Sequence, residues 1–249
     1  KVEELGLKNI KKVLAYFGDP HFKIPTIHIA GTNGKGSIAA FVESILRTSD
    51  FRVGLFTSPH FIDFTERIQI NRKPISKYDF ASIASELKQV IKKLDLSITY
   101  FEFSTLLAFL YFSEEKPDWI ILEVGMGGRL DCTNVCMADI SIISSISLDH
   151  QTYLGNTIES IAFEKASIIK SFGTVIADKQ KGTVENIIRE FANEKKANVR
   201  FLGRDFFVNR KNYSWMEQTF DFKSHFGKLN DIRTKLLGIH QVFNAGVAV

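Results

Sequence analysis

The chain has 249 residues, of which 45% are hydrophobic, 24% charged and 12% aromatic. These proportions are typical of a globular protein and exclude disorder as the main state of the chain. The formal net charge is only +4 and the basic residues are scattered, which argues against a nucleic-acid-binding arm or stripe. No apolar run approaches the roughly 18 residues of a membrane span. One large α/β domain is the simplest interpretation.

The two cysteines, Cys132 and Cys136, are too few for a disulfide scaffold, and their spacing does not match the usual zinc motifs. We therefore expect a reducing, cytoplasmic location. The chain begins without an initiating Met, and its last eight residues are largely apolar and carry no helix-stop signal. We therefore expect residues 1–249 to be part of a longer protein.

Short apolar runs alternate with longer helix-like segments over the first 200 residues. The runs predict buried strands at 24–29, 52–57, 118–124, 140–146 and 174–177. The intervening segments predict helices at 77–94, 103–115, 158–170 and 183–196. This alternation predicts an α/β fold of the P-loop NTPase type, with a mainly parallel sheet flanked by helices. Later alternating runs predict a small antiparallel region at the edge of the sheet, at 199–202, 206–209, 219–222 and 234–237.

The first predicted strand leads directly into the glycine-rich loop GTNGKGS, residues 31–37, and then into a helix. Such a turn leaves backbone N–H groups free to bind one anion, and phosphate is the natural occupant. Lys35 would add a positive charge, and the hydroxyl of Ser37 could reach a phosphate oxygen or its Mg2+. The loop departs from the standard P-loop because Ile29 replaces the first glycine and Gly36 follows the lysine. The alternative is a tight glycine turn without a ligand.

Polar residues follow three of the predicted strands at the point where each strand ends. Glu123 closes the third strand, Ser58 and His60 follow the second, and His150 follows the fourth. The carboxyl ends of parallel strands share one edge, where such sheets bind ligands. A carboxylate there could hold a divalent metal beside the phosphates. The alternatives are that Glu123 only pairs with Arg129, and that His150 is a structural histidine.

Six motifs, in order along nearly the whole chain, resemble the folylpolyglutamate synthase/dihydrofolate synthase family within the Mur ligase superfamily. They are HIAGTNGKGS (28–37), TSPHFIDFTERIQIN (57–71), TYFEFSTLLAFLYF (99–112), LEVGMGGRLDCTNV (122–135), SLDHQTYLGNTIESIAFEKASIIK (147–170) and GIHQVFNAGVAV (238–249). The resemblance implies an ATP- and Mg2+-dependent ligase that adds L-glutamate to a folate or dihydropteroate carboxylate through an acyl phosphate. It implies a cytoplasmic monomer that binds neither nucleic acid nor membrane. The glutamate site would require a C-terminal domain, which we expect to lie outside residues 1–249.

Carried over residue by residue, the resemblance implies four groups of site residues. Nucleotide contacts would come from Asn33, Gly34, Lys35, Gly36, Ser37 and Asn244. The metal would be held by Ser58, Glu123, His150 and Lys165, the last as a carbamate. The acceptor substrate would lie near Leu5, Gly6, Leu7, His60, Tyr100, Phe101, Glu102, Leu130 and Asp131. Catalytic roles would fall to Lys35, Glu123, His150 and Lys165.

Several alternatives to these assignments stay open at this point. Lys165 could be a surface lysine paired with Glu164 or Glu159, and most of segment 99–112 could be core, with only its N-terminal edge near the substrate. A Mur-type ligase acting on a peptidoglycan precursor is a second enzyme hypothesis, although such enzymes usually carry a separate domain before the loop. A non-catalytic nucleotide-binding module is the third, but it would leave Glu123, His150 and Lys165 together without a reason.

Overall fold

The central strand of the main sheet is β1 (Thr26–Ala30), whose five residues are all buried. The computed structural model describes residues 6–149 and 151–249. The other strands of this sheet are β2 (Val53–Phe56), β3 (Ile68–Ile70), β4 (Lys73–Pro74), β5 (Trp119–Glu123), β6 (Ile140–Ile143), β7 (Thr174–Ala177) and β8 (Asn198–Phe201). They lie in the order β4-β3-β2-β5-β1-β6-β7-β8. Every neighbouring pair is parallel except β2 with β3 and β3 with β4.

The helices flank this sheet on both faces. They are α1 (Lys8–Tyr16), α2 (Lys35–Thr48), α3 (Lys77–Lys93), α4 (Tyr100–Glu115), α5 (Gln151–Leu154), α6 (Ile158–Ala166), α7 (Gly182–Glu194) and α8 (Ile239–Ala248). Side chains alternate between faces along β5. Ile120 and Leu122 pack with residues of α1, α3 and α4, whereas Ile121 packs with residues of α2 and α8. The predicted α/β class is therefore confirmed.

Helix α4 is apolar around its circumference and is buried along most of its length. It starts at a capping box, in which the Thr99 hydroxyl accepts the N–H of Glu102 and the Glu102 carboxylate accepts the N–H of Thr99. The expectation that most of segment 99–112 forms core is confirmed. Within the described residues, no helix combines the length and hydropathy that a bilayer crossing needs.

The region after residue 198 differs from the sequence prediction in its arrangement. The run at 199–202 forms β8, which pairs with β7 in parallel and extends the main sheet. The antiparallel strands are instead a separate sheet of β9 (Phe206–Tyr213), β10 (Gln218–Ser224) and β11 (Gly227–Thr234). The predicted strand at 234–237 overlaps β11 only at Thr234. The sequence did not reveal β11 itself, because its residues are largely exposed and form no apolar run. Strands β3 and β4 were not predicted, since two or three residues are too short to show alternation.

The crossovers reverse direction at the centre of the main sheet. From β1 the chain crosses towards β2 on one side, and from its neighbour β6 it crosses towards β7 on the other. Open α/β sheets bind ligands outside the carboxyl ends of the strands at such a switch point. The glycine-rich loop follows β1, so the topology places it at this position.

Candidate functional site

The glycine-rich loop connects β1 to the N-terminus of α2. Gly34 caps the helix with a left-handed φ of 88°. Gly31 packs so closely on the next strand that an added Cβ would lie 1.7 Å from the Ser144 hydroxyl. The Lys35 ammonium folds back and donates to the carbonyls of Gly31 at 3.2 Å and Thr32 at 3.3 Å. A positive side chain and the free N–H groups of a helix start therefore face the same space, which suits phosphate.

The segment after β6 is bound to this loop by several hydrogen bonds. The Thr32 N–H donates to the Ser145 carbonyl at 2.9 Å, and the Ser147 N–H donates to the Thr32 hydroxyl at 3.1 Å. The carboxyl ends of β1 and β6 therefore converge as expected. His150 itself lies outside the described residues, so its assignment as a metal ligand stays a prediction.

Glu123 ends β5 and lies beside the glycine-rich loop. Its side chain is buried, and one carboxylate oxygen accepts the Ser58 N–H at 3.1 Å. An added Cβ on Gly36 would lie 3.7 Å from both carboxylate oxygens, so the loop approaches this group closely. Burial raises the pKa of Glu123, and the Ser58 N–H and the charge of Lys35 oppose that rise. Three strand ends thus meet at one carboxylate.

Arg129 does not neutralise Glu123. Its Nε donates to Glu164 on α6 at 2.8 Å, which rules out the alternative that Glu123 exists only to pair with it. The candidate metal ligands beside the glycine-rich loop are the carboxylate of Glu123 and the hydroxyl of Ser58. Hard oxygen ligands of this kind suit Mg2+, which proteins often hold through one or two carboxylates plus phosphates and water. The residues present therefore fit the metal that the family implies.

Lys165 lies on α6 and is buried, with 3% of its surface exposed. Its ammonium donates to the Gly31 carbonyl at 2.7 Å, so it reaches the glycine-rich loop. Burial, followed by the charge of Lys35, lowers the pKa of Lys165 to about 8. The alternative of a surface lysine paired with Glu164 is therefore wrong. A neutral amine is what carbamylation requires, and the lowered pKa supplies more of it at neutral pH.

A cavity of about 510 Å³ opens next to Glu123. Its wall includes three of the predicted substrate residues, Phe101, Leu130 and Asp131, together with the predicted metal ligand Ser58. The remaining lining residues are Pro59, Arg67, Thr99, Gly125, Met126, Arg129, Cys132, Tyr153, Leu154 and Glu164. One predicted metal ligand and three predicted substrate residues thus line the same cavity.

The other predicted substrate residues that the structure describes do not line this cavity. The carboxylate of Glu102 is occupied at the start of α4, where it accepts from Thr99, so the structure gives it a capping role instead. Leu7 packs against the core at the start of α1, and Gly6 precedes it. Leu5 lies outside the described residues. The motifs contain residues of the cavity wall, but the sequence alone could not separate these from capping and packing residues.

His60 and Tyr100 contact the cavity wall indirectly. The His60 ring accepts a hydrogen bond from Arg67, and the Tyr100 ring lies under the same guanidinium. The sequence prediction did not include Arg67, although it stands inside the quoted motif TSPHFIDFTERIQIN. Its signal is a charged residue directly before the apolar strand β3.

Helix α8 brings two amides against the glycine-rich loop. The Gln241 amide donates to the Ser37 hydroxyl at 3.2 Å, and the Asn244 amide donates to Gln241 at 3.1 Å. An added Cβ on Gly34 would lie 2.5 Å from the Asn244 amide oxygen. Asn244 therefore contacts the loop that we expect to bind nucleotide. Gln241 was missing from the predicted site residues, although it stands in the same motif.

A buried polar chain runs from β1 to the substrate cavity. The His28 Nε2 lies 2.8 Å from the Thr133 hydroxyl, which donates to Asp131. On the other side of the ring, the Cys136 sulfur lies 3.6 Å from Nδ1. Burial lowers the pKa of His28 to about 3, so the ring is neutral at physiological pH. Because Thr133 gives its hydrogen to Asp131, the Nε2 of His28 carries the proton and donates to Thr133.

Comparison with known proteins identifies the family of this chain. The Mur ligase middle domain family matches residues 29–249. The dihydrofolate synthase/folylpolyglutamate synthase of Bacillus subtilis is 39% identical over 249 residues, covering 98% of this chain and 58% of that protein. The folylpolyglutamate synthase of Lacticaseibacillus casei is 33% identical, covering 97% and 58%. The chain thus spans less than two thirds of the relatives it matches.

Solved structures of such proteins share the fold. The folylpolyglutamate synthase of Thermotoga maritima superposes with a TM-score of 0.92 at 38% identity, covering 98% of this chain and 57% of that one. A folylpolyglutamate synthase complex with AMPPCP and folate gives a TM-score of 0.96 at 32% identity, covering 100% and 62%. These matches confirm the resemblance that the six motifs indicated.

Proposed function

The chain belongs to the Mur ligase family, and from that premise we propose that it is the ATP-binding part of an ATP-dependent ligase that adds L-glutamate to a folate or dihydropteroate carboxylate. The observation that carries the proposal is the position of the Glu123 carboxylate, which lies against Gly36 of the glycine-rich loop and accepts the N–H of Ser58, a residue that lines the 510 Å³ cavity. A phosphate donor and an acceptor bound in these two places would face each other. The relatives of this chain are dihydrofolate or folylpolyglutamate synthases, which supports this proposal.

The loop supplies the contacts for ATP. Its backbone N–H groups and the ammonium of Lys35 would bind the phosphates once phosphate oxygens replace the carbonyls that Lys35 now contacts. Asn244 and Gln241 hold the loop from the α8 side. Mg2+ held by Glu123 and Ser58, with His150 as a further ligand, would neutralise charge on the phosphates. The protein's share of phosphoryl transfer is positioning and charge neutralisation.

The chemistry explains why ATP is needed. A carboxylate is a poor electrophile and its oxygen is a poor leaving group, so amide formation in water is uphill. An acceptor carboxylate that attacks the γ-phosphate of ATP yields an acyl phosphate and releases ADP. The glutamate amine then displaces inorganic phosphate and forms the amide bond. The cavity beside Glu123 would hold the acceptor so that its carboxylate points at the loop.

The carbamylation of Lys165 is part of this proposal. The lysine is buried, reaches the loop and has a lowered pKa, and these are the conditions under which CO2 can add to an amine. The product would convert a cation into an anion that can serve as a metal ligand. We also propose that the protein acts in the cytoplasm as a monomer, without nucleic acid or membrane partners.

The assay that tests this function measures ADP release by the full-length protein. ATP, Mg2+ and L-glutamate are supplied with dihydropteroate or with a reduced folate in separate reactions. We expect glutamate-dependent ADP release with at least one of these acceptors. Acceptor-independent ATP hydrolysis alone, with no glutamylated product by mass spectrometry, would contradict the proposal. A Mur-type peptidoglycan precursor serves as the competing acceptor.

A further inference from the structure

Arg67 stands at the junction of the cavity and the metal-side carboxylate. It is the last residue of a 3-10 helix, Phe64–Arg67, and it lines the cavity that Ser58 also lines. Its carbonyl accepts the Thr57 N–H at 3.0 Å, which fixes it next to the end of β2. Ser58, the residue after Thr57, donates its N–H to the Glu123 carboxylate at 3.1 Å. Arg67 is therefore held at the same strand end that contacts Glu123.

In the part of the chain that the structure describes, the guanidinium of Arg67 is buried without an acidic partner. Only 8% of the residue is exposed. Of its five N–H donors, Nε donates to the His60 ring at 2.9 Å, and the rings of Phe64 and Tyr100 pack at 5.9 and 5.6 Å from the guanidinium carbon. Across residues 6–149 and 151–249, no carboxylate lies within ion-pair distance of it. Arg129, on the same cavity, is by contrast paired with Glu164.

Such an arrangement calls for an anion from outside the chain. A buried charge is costly unless it is paired and hydrogen-bonded, and Arg is well suited to bind a carboxylate through two parallel hydrogen bonds. The cavity that Arg67 lines is the one we assign to the acceptor. The proposed reaction brings the acceptor's carboxylate to the part of this cavity nearest Glu123, and Arg67 lines the cavity together with Ser58, whose N–H donates to Glu123.

The loop that carries Arg67 is already ordered for binding. The Glu66 carboxylate accepts the N–H groups of Phe61, Ile62 and Asp63, at 2.8 to 3.1 Å. The Asp63 carboxylate in turn caps the 3-10 helix by accepting the Thr65 N–H at 2.9 Å. Because these bonds hold the segment in place, little ordering of Arg67 is needed on binding, which favours affinity.

We propose that Arg67 binds the carboxylate of the acceptor substrate and orients it towards the glycine-rich loop. This assignment rests on the proposed function, since it assumes that the cavity holds the acceptor. The γ-phosphate of ATP offers similar anionic oxygens, so the test separates the two ligands. Arg67 would then make the cavity selective for acceptors that carry a free carboxylate.

The test compares each acceptor with its carboxamide. Calorimetric titrations measure both ligands against the full-length protein saturated with AMPPCP and Mg2+, and AMPPCP is also titrated alone. Wild type should favour the acid, and Arg67→Met should lower acid affinity by about 10- to 100-fold while changing carboxamide affinity less than about twofold. This range corresponds to the loss of one charged hydrogen-bonded contact. Arg67→Lys should restore part of the preference.

Controls separate this role from a structural one. Arg72→Met removes a nearby arginine that pairs with Glu43, and it should leave the acid-to-carboxamide ratio unchanged. An Arg67→Met protein that keeps the wild-type ratio, or loses both acceptors equally, would overturn the proposal. If Arg67→Met instead loses affinity for AMPPCP while its acid-to-carboxamide affinity ratio stays unchanged, the proposal is also overturned. Arg67 would then be assigned to the phosphates of ATP. If Arg67→Met fails to fold, the ratio in Arg67→Lys decides. If wild type binds neither acid nor carboxamide, the proposed function fails instead.

Discussion

At the scale of single residues, two lysines converge on one carbonyl. The ammonium groups of Lys35 and Lys165 both donate to the Gly31 carbonyl, at 3.2 and 2.7 Å. Two like charges at such close quarters repel each other, and the charge of Lys35 lowers the pKa of Lys165. Phosphate bound at the loop, or conversion of Lys165 to a carbamate, would relieve this repulsion. The two ammonium groups thus give the loop region a positive potential that favours the binding of anions.

Removing Lys35 should weaken nucleotide binding. Lys35→Ala deletes the only side-chain cation of the loop GTNGKGS, so we expect a loss of ATP affinity of at least about tenfold, as for a hydrogen bond to a charged group. Titration with AMPPCP and Mg2+ measures it. Lys12→Ala, at an exposed position on α1, is the control and should bind as wild type does. Unchanged affinity in Lys35→Ala would remove the loop from the nucleotide site.

Neutralising Glu123 should impair turnover without unfolding the protein. Glu123→Gln keeps the shape of the side chain and an oxygen that can accept from Ser58, but it removes the charge that suits Mg2+. We expect full-length activity to fall by orders of magnitude, because metal contacts to the phosphates strengthen in the transition state. We expect the same of His150→Ala. Near-normal turnover and unchanged Mg2+ dependence in both variants would contradict the converging-strand site.

Carbamylation of Lys165 should be detectable and should depend on pH. Only the neutral amine reacts with CO2, and its fraction grows as the pH rises through the folded pKa of about 8, below the usual value for lysine. We therefore expect ¹³C NMR of protein in ¹³C-bicarbonate to show a carbamate signal that increases between neutral and mildly alkaline pH. The signal should vanish in Lys165→Gln and persist in Lys12→Gln. A fully active protein without the adduct would contradict this assignment.

At the scale of elements, the buried chain from His28 to Asp131 links a central strand to the substrate cavity. Thr133→Val keeps the shape of the side chain but leaves His28 and Asp131 without their shared partner. We expect a loss of about 1–3 kcal/mol in the free energy of unfolding and a higher KM for the acceptor. Thr133→Ser should retain both properties. Urea unfolding and initial-rate kinetics measure them, and equal behaviour of the two variants would contradict a positioning role.

The elements that were predicted correctly are those with a strong local signal. The predicted strand 174–177 coincides with β7, and the segment 77–94 exceeds α3 by one residue. The failures come from contacts that a sequence pattern does not display. Strand β8 lies in the main sheet because it pairs with β7 in parallel, and β9 to β11 form a second sheet through their antiparallel pairing with one another. The motifs pointed to the region of the candidate site, but only the fold distinguished the capping role of Glu102 from the charge of Arg67, which has no acidic partner among the described residues.

At the scale of the whole molecule, topology brings the site together. The reversal of the crossovers between β1 and β6 places the glycine-rich loop at the switch point, and β2 and β5 add Ser58 and Glu123 at the same edge. The 510 Å³ cavity continues from this edge between segments that are far apart in sequence. One fold thus presents the loop that we propose for phosphate and the cavity that we propose for the acceptor on either side of a single carboxylate.

The most direct test of this account is positional isotope exchange in ATP. The full-length protein is incubated with Mg2+, an acceptor and ATP labelled with ¹⁸O at the β,γ-bridge, without glutamate. Reversible acyl phosphate formation should move the label into non-bridging positions of the β-phosphate. We predict exchange with the acid acceptor, none with its carboxamide or without an acceptor, and none in Lys35→Ala. Exchange at the same rate without any acceptor, or its absence in a protein that forms the glutamyl product, would contradict the account.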